Sequence, residues 1–133
     1  MKQKTSIQET DSQETSPVEV ICASEVDTFA GLSTSLAEIR KLKGVLGYIL
    51  RSNTSAIVDL IEQEKIVPYT VLSTQISDVG MQVADQFKLG TPESILLEGK
   101  NIKVLCATIG ENKVSIFMEK TVSHTWITKK IRL

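Results

Sequence analysis

The chain has 133 residues, 41% hydrophobic and 23% charged, a balance that suits one globular domain and excludes disordered, collagen-like and disulfide-scaffold chains. Its 15 basic and 16 acidic side chains leave a net charge of -1, and aromatics make up only 5%. Such a chain lacks the clustered cations that draw nucleic acid or anionic membrane, and the aromatic platforms that stack single-stranded bases.

The two cysteines, Cys22 and Cys106, form no C-x-x-C spacing, so the usual zinc and redox motifs are missing and a reduced, cytoplasmic setting is expected. Met1, Lys2, Gln3 and Lys4 lead into Thr5, Ser6 and Gln8 instead of an apolar run, which is not the pattern of a signal peptide. No stretch approaches the roughly 20 apolar residues of a spanning helix, so membrane insertion is not expected.

Residues 1–24 are rich in Ser, Thr, Gln and Glu and read as a disordered, mildly acidic tail, because they cannot bury enough apolar surface to offset their ordering entropy. Residues 18–22 are the exception, with a β-branched character that would also suit a short edge strand. Residues 1–25 hold two lysines against five acidic residues, a net of -3 that leaves +2 for the remainder. The domain is therefore placed at 25–133.

Ser24, Glu25, Val26 and Asp27 have the spacing of a helix-starting capping box. Phe29, Leu32, Leu36, Ile39 and Leu42 follow at helical steps, and Gly44 suits the close of that helix. A strand is expected over 45–51 and a second over 56–61, joined as a hairpin through Asn53, Thr54 and Ser55, a turn without glycine. Pro68 suits the first turn of a long helix running to Leu89.

In that helix Leu72, Ile76, Val79, Val83 and Phe87 fall within an arc of about 80° at 100° per residue, which reads as the core-facing side. Beside it runs a stripe of small residues, Ser73, Ser77, Gly80 and Ala84. Small residues let another backbone come close, and Gly80 costs about 1 kcal/mol in a helix interior, so it calls for a packing reason. The alternative is that this stripe merely faces water. Three strands follow, over 94–98, 103–109 and 114–119, linked by glycine turns into an antiparallel meander, and Ser123 can cap a last short helix. The middle strand is apolar on both faces and reads as central.

The order helix, strand, strand, helix, three strands, helix resembles the roadblock domain family over residues 25–133. The resemblance is carried by Leu36, Ile39, Leu42, Gly44, Val45 and Gly47, by Gly80, by the junction from Leu89-Gly90 through Pro92-Glu93 to Glu98-Gly99, and by Gly110-Glu111-Asn112. The first hairpin departs from it, since the family often places Asp-Gly there. The resemblance implies an α+β fold, a five-stranded antiparallel sheet with the long helix on one face and one or two helices on the other. It also implies a homodimer built through the second helix and third strand, with interface residues Ser73, Ser77, Gly80, Ala84, Ser94, Ile95, Leu96 and Leu97. The implied function is that of a non-enzymatic adaptor that regulates a small Ras-like GTPase.

The sequence offers no competing chemistry. His124 has no Cys or acidic cluster beside it, so capping or surface exposure is favoured over a ligand role. Cys106 in an apolar strand reads as a small buried hydrophobe, and Cys22 as an exposed thiol. No G-x-x-x-x-G-K-[ST] is present, so the chain should not hold GTP itself. No catalytic residue, metal ligand or cofactor is assigned. Arg40, Lys41 and Lys43 could touch an acidic partner but more simply complement the end of a helix, and Arg51 could act in trans on a phosphoryl group or be an ordinary strand-end cation. The other functional classes are a small-ligand sensory α/β module, which would need a hollow core with convergent polar groups, and a passive scaffold subunit.

Overall fold

The computed structural model describes residues 17–132, with side chains described from Thr28 onward. The chain divides into two units, residues 1–30 and 31–133, and the second holds the sheet. Helix α1 spans Pro17–Arg40 and so begins before the expected capping box. Pro17 is well suited to a first turn. The stretch 18–22, weighed above as tail or strand, is helical. Residues 1–16 of the expected tail lie outside the described residues, as does the side chain of Cys22.

Strands β1 (Val45–Arg51) and β2 (Ala56–Leu60) form the expected hairpin. Ser52 supplies what the missing glycine does not: its Oγ accepts the Ser55 N–H at 3.0 Å and the Thr54 N–H at 3.3 Å, closing the turn from a side chain. A short 3-10 turn at Gln63–Lys65 leads into α2, Ile66–Gln86. Then come β3 (Ser94–Glu98), β4 (Ile102–Ile109), β5 (Asn112–Glu119) and α3 (His124–Ile131). The Ser123 Oγ accepts the Trp126 N–H, the expected cap.

The five strands form one antiparallel sheet in the order β2-β1-β5-β4-β3. The central strand is therefore β5 and not β4, and its Val114, Ile116, Phe117 and Met118 are all essentially solvent-free. Strand β4 is nonetheless buried on both faces, as its composition suggested. The register slips between Val45 and Gly47 where β1 meets β5. A Cβ on Gly47 would run into the Asp59 carbonyl and Leu60, and its φ of +154° is one that L side chains rarely adopt.

Alternation along the strands divides the sheet cleanly. One face carries Ile49, Phe117, Val104 and Cys106, which pack with Leu60 and with Ile76 of α2. The residues between them point the other way, and Leu36, Ile39, Ile127 and Ile131 of α1 and α3 are fully buried with them in the core. The result is an α+β architecture, a five-stranded antiparallel sheet with helices on its faces.

Candidate functional site

Helix α2 lies on its sheet rotated relative to the sequence expectation, so that part of the small stripe is buried alongside Ile76 and Leu72. Ser73 is 4% exposed and Ala84 5%, so both are buried within the chain's own fold. The Ser73 hydroxyl is hydrogen-bonded to that of Ser115 on β5, and a Cβ placed on Gly80 would overlap Ile95 Cδ1 on β3. Small residues do let a neighbour come close here, but that neighbour is a side chain of the chain's own sheet, Ile95. Tyr69 on the same helix stacks on Phe117, with ring centroids 4.5 Å apart. A second helix cannot reach Ser73 or Ala84 without displacing these strands.

The arc read as core is divided. Ile76 is buried and Leu72 packs half-buried beside it, as expected, but Val79 is 58% exposed, Val83 45% and Phe87 66%. The reason is geometric: at 100° per residue the buried small stripe marks the line of contact, and Val79 and Val83 stand about 60–140° away from it. Of the β3 residues assigned to an interface, Ser94 is exposed, Ile95 is half-buried beneath Gly80, and Leu96 and Leu97 are exposed. Leu97 is cross-strand from Val104, on the α2 face, and Leu96 is cross-strand from Leu105, on the other. Among the described residues strand β3 pairs only with β4, so its outer edge has no strand beside it. Together α2 and β3 present Val79, Val83 and Leu97 beside an unpaired strand, which is a surface suited to a protein partner.

The single residues considered for chemistry are otherwise engaged. Burial raises the Cys106 thiol above its ordinary value of 9.0, opposed by hydrogen bonds with Ser115 and Ser73 and by the charge of Arg51, so it is a poor nucleophile at neutral pH. Burial likewise raises the Tyr48 phenol, helped by the charge of Asp59. His124 begins α3, and its Nδ1 accepts a hydrogen bond from Lys103 Nζ at 3.0 Å. Lys103 is 4% exposed, and this contact was missed from the sequence because its partners lie 21 positions apart. Arg40 is not free, since its Nε sits 3.4 Å from Asp59 Oδ1, while Lys41 and Lys43 are exposed. Among the described residues no group of three or more His, Cys, Asp or Glu could hold a metal ion, and no helix is long and apolar enough to cross a membrane.

The element order, the strand order and the placement of α2 can be compared with known structures. A Roadblock/LC7 domain from Streptomyces avermitilis superposes with a TM-score of 0.60 at 9% identity, covering 77% of this chain and 87% of that one. This is the roadblock fold. MglB from Myxococcus xanthus shares it with a TM-score of 0.62 at 12% identity over 78% of this chain and 81% of its own. The gliding protein MglB from Thermus thermophilus does so at 0.60 and 10% identity over 77% and 82%. No protein-family model matches the sequence, and no curated protein does. The likeness is thus carried by the roadblock fold itself, which the sequence resemblance anticipated from its glycine positions and element order.

Proposed function

We propose that the chain is a non-enzymatic, cytoplasmic adaptor that pairs with a second copy of itself and regulates a small Ras-like GTPase. The observation that carries this reading is the apolar flank of α2, Val79 and Val83, lying on the same side of the sheet as Leu97 of the unpaired β3 edge. Two copies related by a twofold axis would pair their β3 edges and pack their α2 flanks, covering both the strand edges and the apolar side chains. The interface expected from the sequence is thereby kept at β3 but moved around α2, from the small stripe to the valine flank. The GTPase reading is supported by the roadblock fold shared with the MglB structures and by the absence from the sequence of any phosphate-binding loop of its own.

Switch loops of such GTPases are ordered by the γ-phosphate, so a surface that fits the ordered form favours the GTP state, and a regulator acts only through that difference in affinity. The test is a pull-down from the source cells with the full chain as bait, in the presence of GDP or a non-hydrolysable GTP analogue. Retention of a small GTPase with the analogue and its loss with GDP is the expected outcome. Equal retention in both would reduce the chain to a passive scaffold, and GTP turnover by the purified chain alone would overturn the non-enzyme assignment.

A further inference from the structure

At the end of the sheet where β1 runs out, two cations face one another. Arg51 of β1 is the direct cross-strand partner of Lys113 of β5, and Lys113 is in turn the partner of Thr108 on β4. All three lie on the α2 face, because Ser115, two residues from Lys113, is hydrogen-bonded to Ser73 of α2. Directly opposed like charges destabilise a sheet by a few tenths of a kcal/mol to about 1 kcal/mol, and an anion held between them would offset that repulsion. Among the described residues neither cation has an ion-pair partner. Glu111 is two residues from Lys113 and the Glu93 carbonyl accepts the Thr108 N–H, and neither carboxylate is within 4.0 Å of the two cations.

The pair lines the mouth of a pocket of about 20 Å³ between α2 and the sheet, which Ser77, Thr108 and Ser115 also line. That volume admits one water-sized group. It matches one oxygen of an anion reaching inward while the rest stays between the two cations. Beside apolar residues such as Met81 and Ile95 the lining holds a guanidinium, an ammonium and the hydroxyls of Ser77 and Thr108, and such donors recognise an oxyanion with several acceptor oxygens. Arg51 and Cys106 line the same pocket, and the charge of Arg51 is felt by the Cys106 thiol. We propose that Arg51, Lys113, Ser77 and Thr108 form a binding site for a phosphate group, either inorganic phosphate or the terminal group of a phosphate monoester. The site is independent of the adaptor reading, since it needs neither a second copy nor a GTPase.

The test is titration of the full chain with inorganic phosphate, with a simple phosphate monoester and with acetate, each against sodium chloride at matched ionic strength. Thermal unfolding and amide NMR shifts are the readouts. Phosphate should raise the melting temperature saturably, as a ligand that binds only the folded state must, and should shift the amides of Ser77, Thr108 and Lys113. Arg51→Gln and Lys113→Gln should each weaken phosphate binding by about tenfold, the loss of one charge-assisted hydrogen bond. In chloride alone both variants should be at least as stable as the parent, because the like-charge contact is relieved; a merely structural role would instead lower their stability. The monoester responding where inorganic phosphate does not, or the reverse, would assign the source. No saturable effect from either, an equal response to acetate, or binding unchanged in both variants would overturn the site.

Discussion

Lys88 ends α2 in a conformation that a lysine adopts at a cost. Its φ is +58°. The Leu89 N–H reaches the Ala84 carbonyl at 2.8 Å and the Lys88 N–H that of Asp85 at 3.2 Å, the paired bonds of a helix terminus that usually carries glycine at this position. Left-handed backbone costs an L residue about 1 kcal/mol or more. Lys88→Gly should therefore raise stability by about 0.5–1 kcal/mol, partly offset by the greater freedom of glycine in the unfolded chain, and chemical denaturation would measure it. Ser115 acts at the same scale. Its hydroxyl meets both Ser73 Oγ and Cys106 Sγ, so Ser115→Ala deprives the buried Ser73 hydroxyl of its partner on β5 and should cost about 1–3 kcal/mol. The double variant with Ser73→Ala should recover part of that loss. Cys106 and Tyr48 fix the alkaline limit. Both are raised by burial from ordinary values of 9.0 and 10.0, so the folded state holds these protons more tightly than the unfolded one. Their contribution is complete at neutral pH and falls away as pH rises above about 9, first for the thiol and then for the phenol. Cys106→Ala should flatten the earlier part of that decline in a series of denaturation curves at increasing pH.

At the scale of elements, α2 shows what periodicity settles and what it leaves open. Gly80 is small because Ile95 fills the space above it. The atom in the way is the far end of a flexible side chain, so Gly80→Ala should be close to neutral, its helix-propensity gain set against a small shift of Ile95. Gly80→Leu should lose about 1–3 kcal/mol of monomer stability by overpacking, which thermal unfolding would report. An apolar arc in a sequence says that one side of a helix is kept dry, but not whether its own sheet or a second chain does so. Leu72, Ile76, Val79, Val83 and Phe87 form the more apolar stripe and Ser73, Gly80 and Ala84 the smaller one, so the stripe that packs most closely was the one that looked less like a core. Turn chemistry was more legible. Gly44, at φ +91°, places the start of β1 at Val45, and the glycine turns on either side of β4 bring β3 and β5 to within two residues of their observed bounds. The first helix was misplaced at its start because Ser24 and Asp27 imitate a cap inside a longer helix. The Lys103–His124 bond had no sequence signal, since neither residue stands in a motif.

For the whole molecule, the sheet has two edges with different characters. On strand β2 Asp59 is tied to Arg40, whereas β3, of equal length, offers Leu96 and Leu97 exposed at the sheet edge. Edges of the second kind are paired or covered in stable proteins, and with the valine flank of α2 this one marks the surface on which the proposed adaptor role depends. A stable dimer would need to bury about 1,200 Å² or more in total. A single charged side chain at the centre of such an apolar seam should abolish it, because an unpaired charge cannot be desolvated there. Val83 is exposed in the monomer, so Val83→Glu should leave the fold intact. Sedimentation equilibrium of the full chain tests this most directly. The account predicts a dimer for the parent and a monomer with unchanged circular dichroism for Val83→Glu; a parent that stays monomeric at every concentration, or a Val83→Glu variant that remains a dimer, would contradict it.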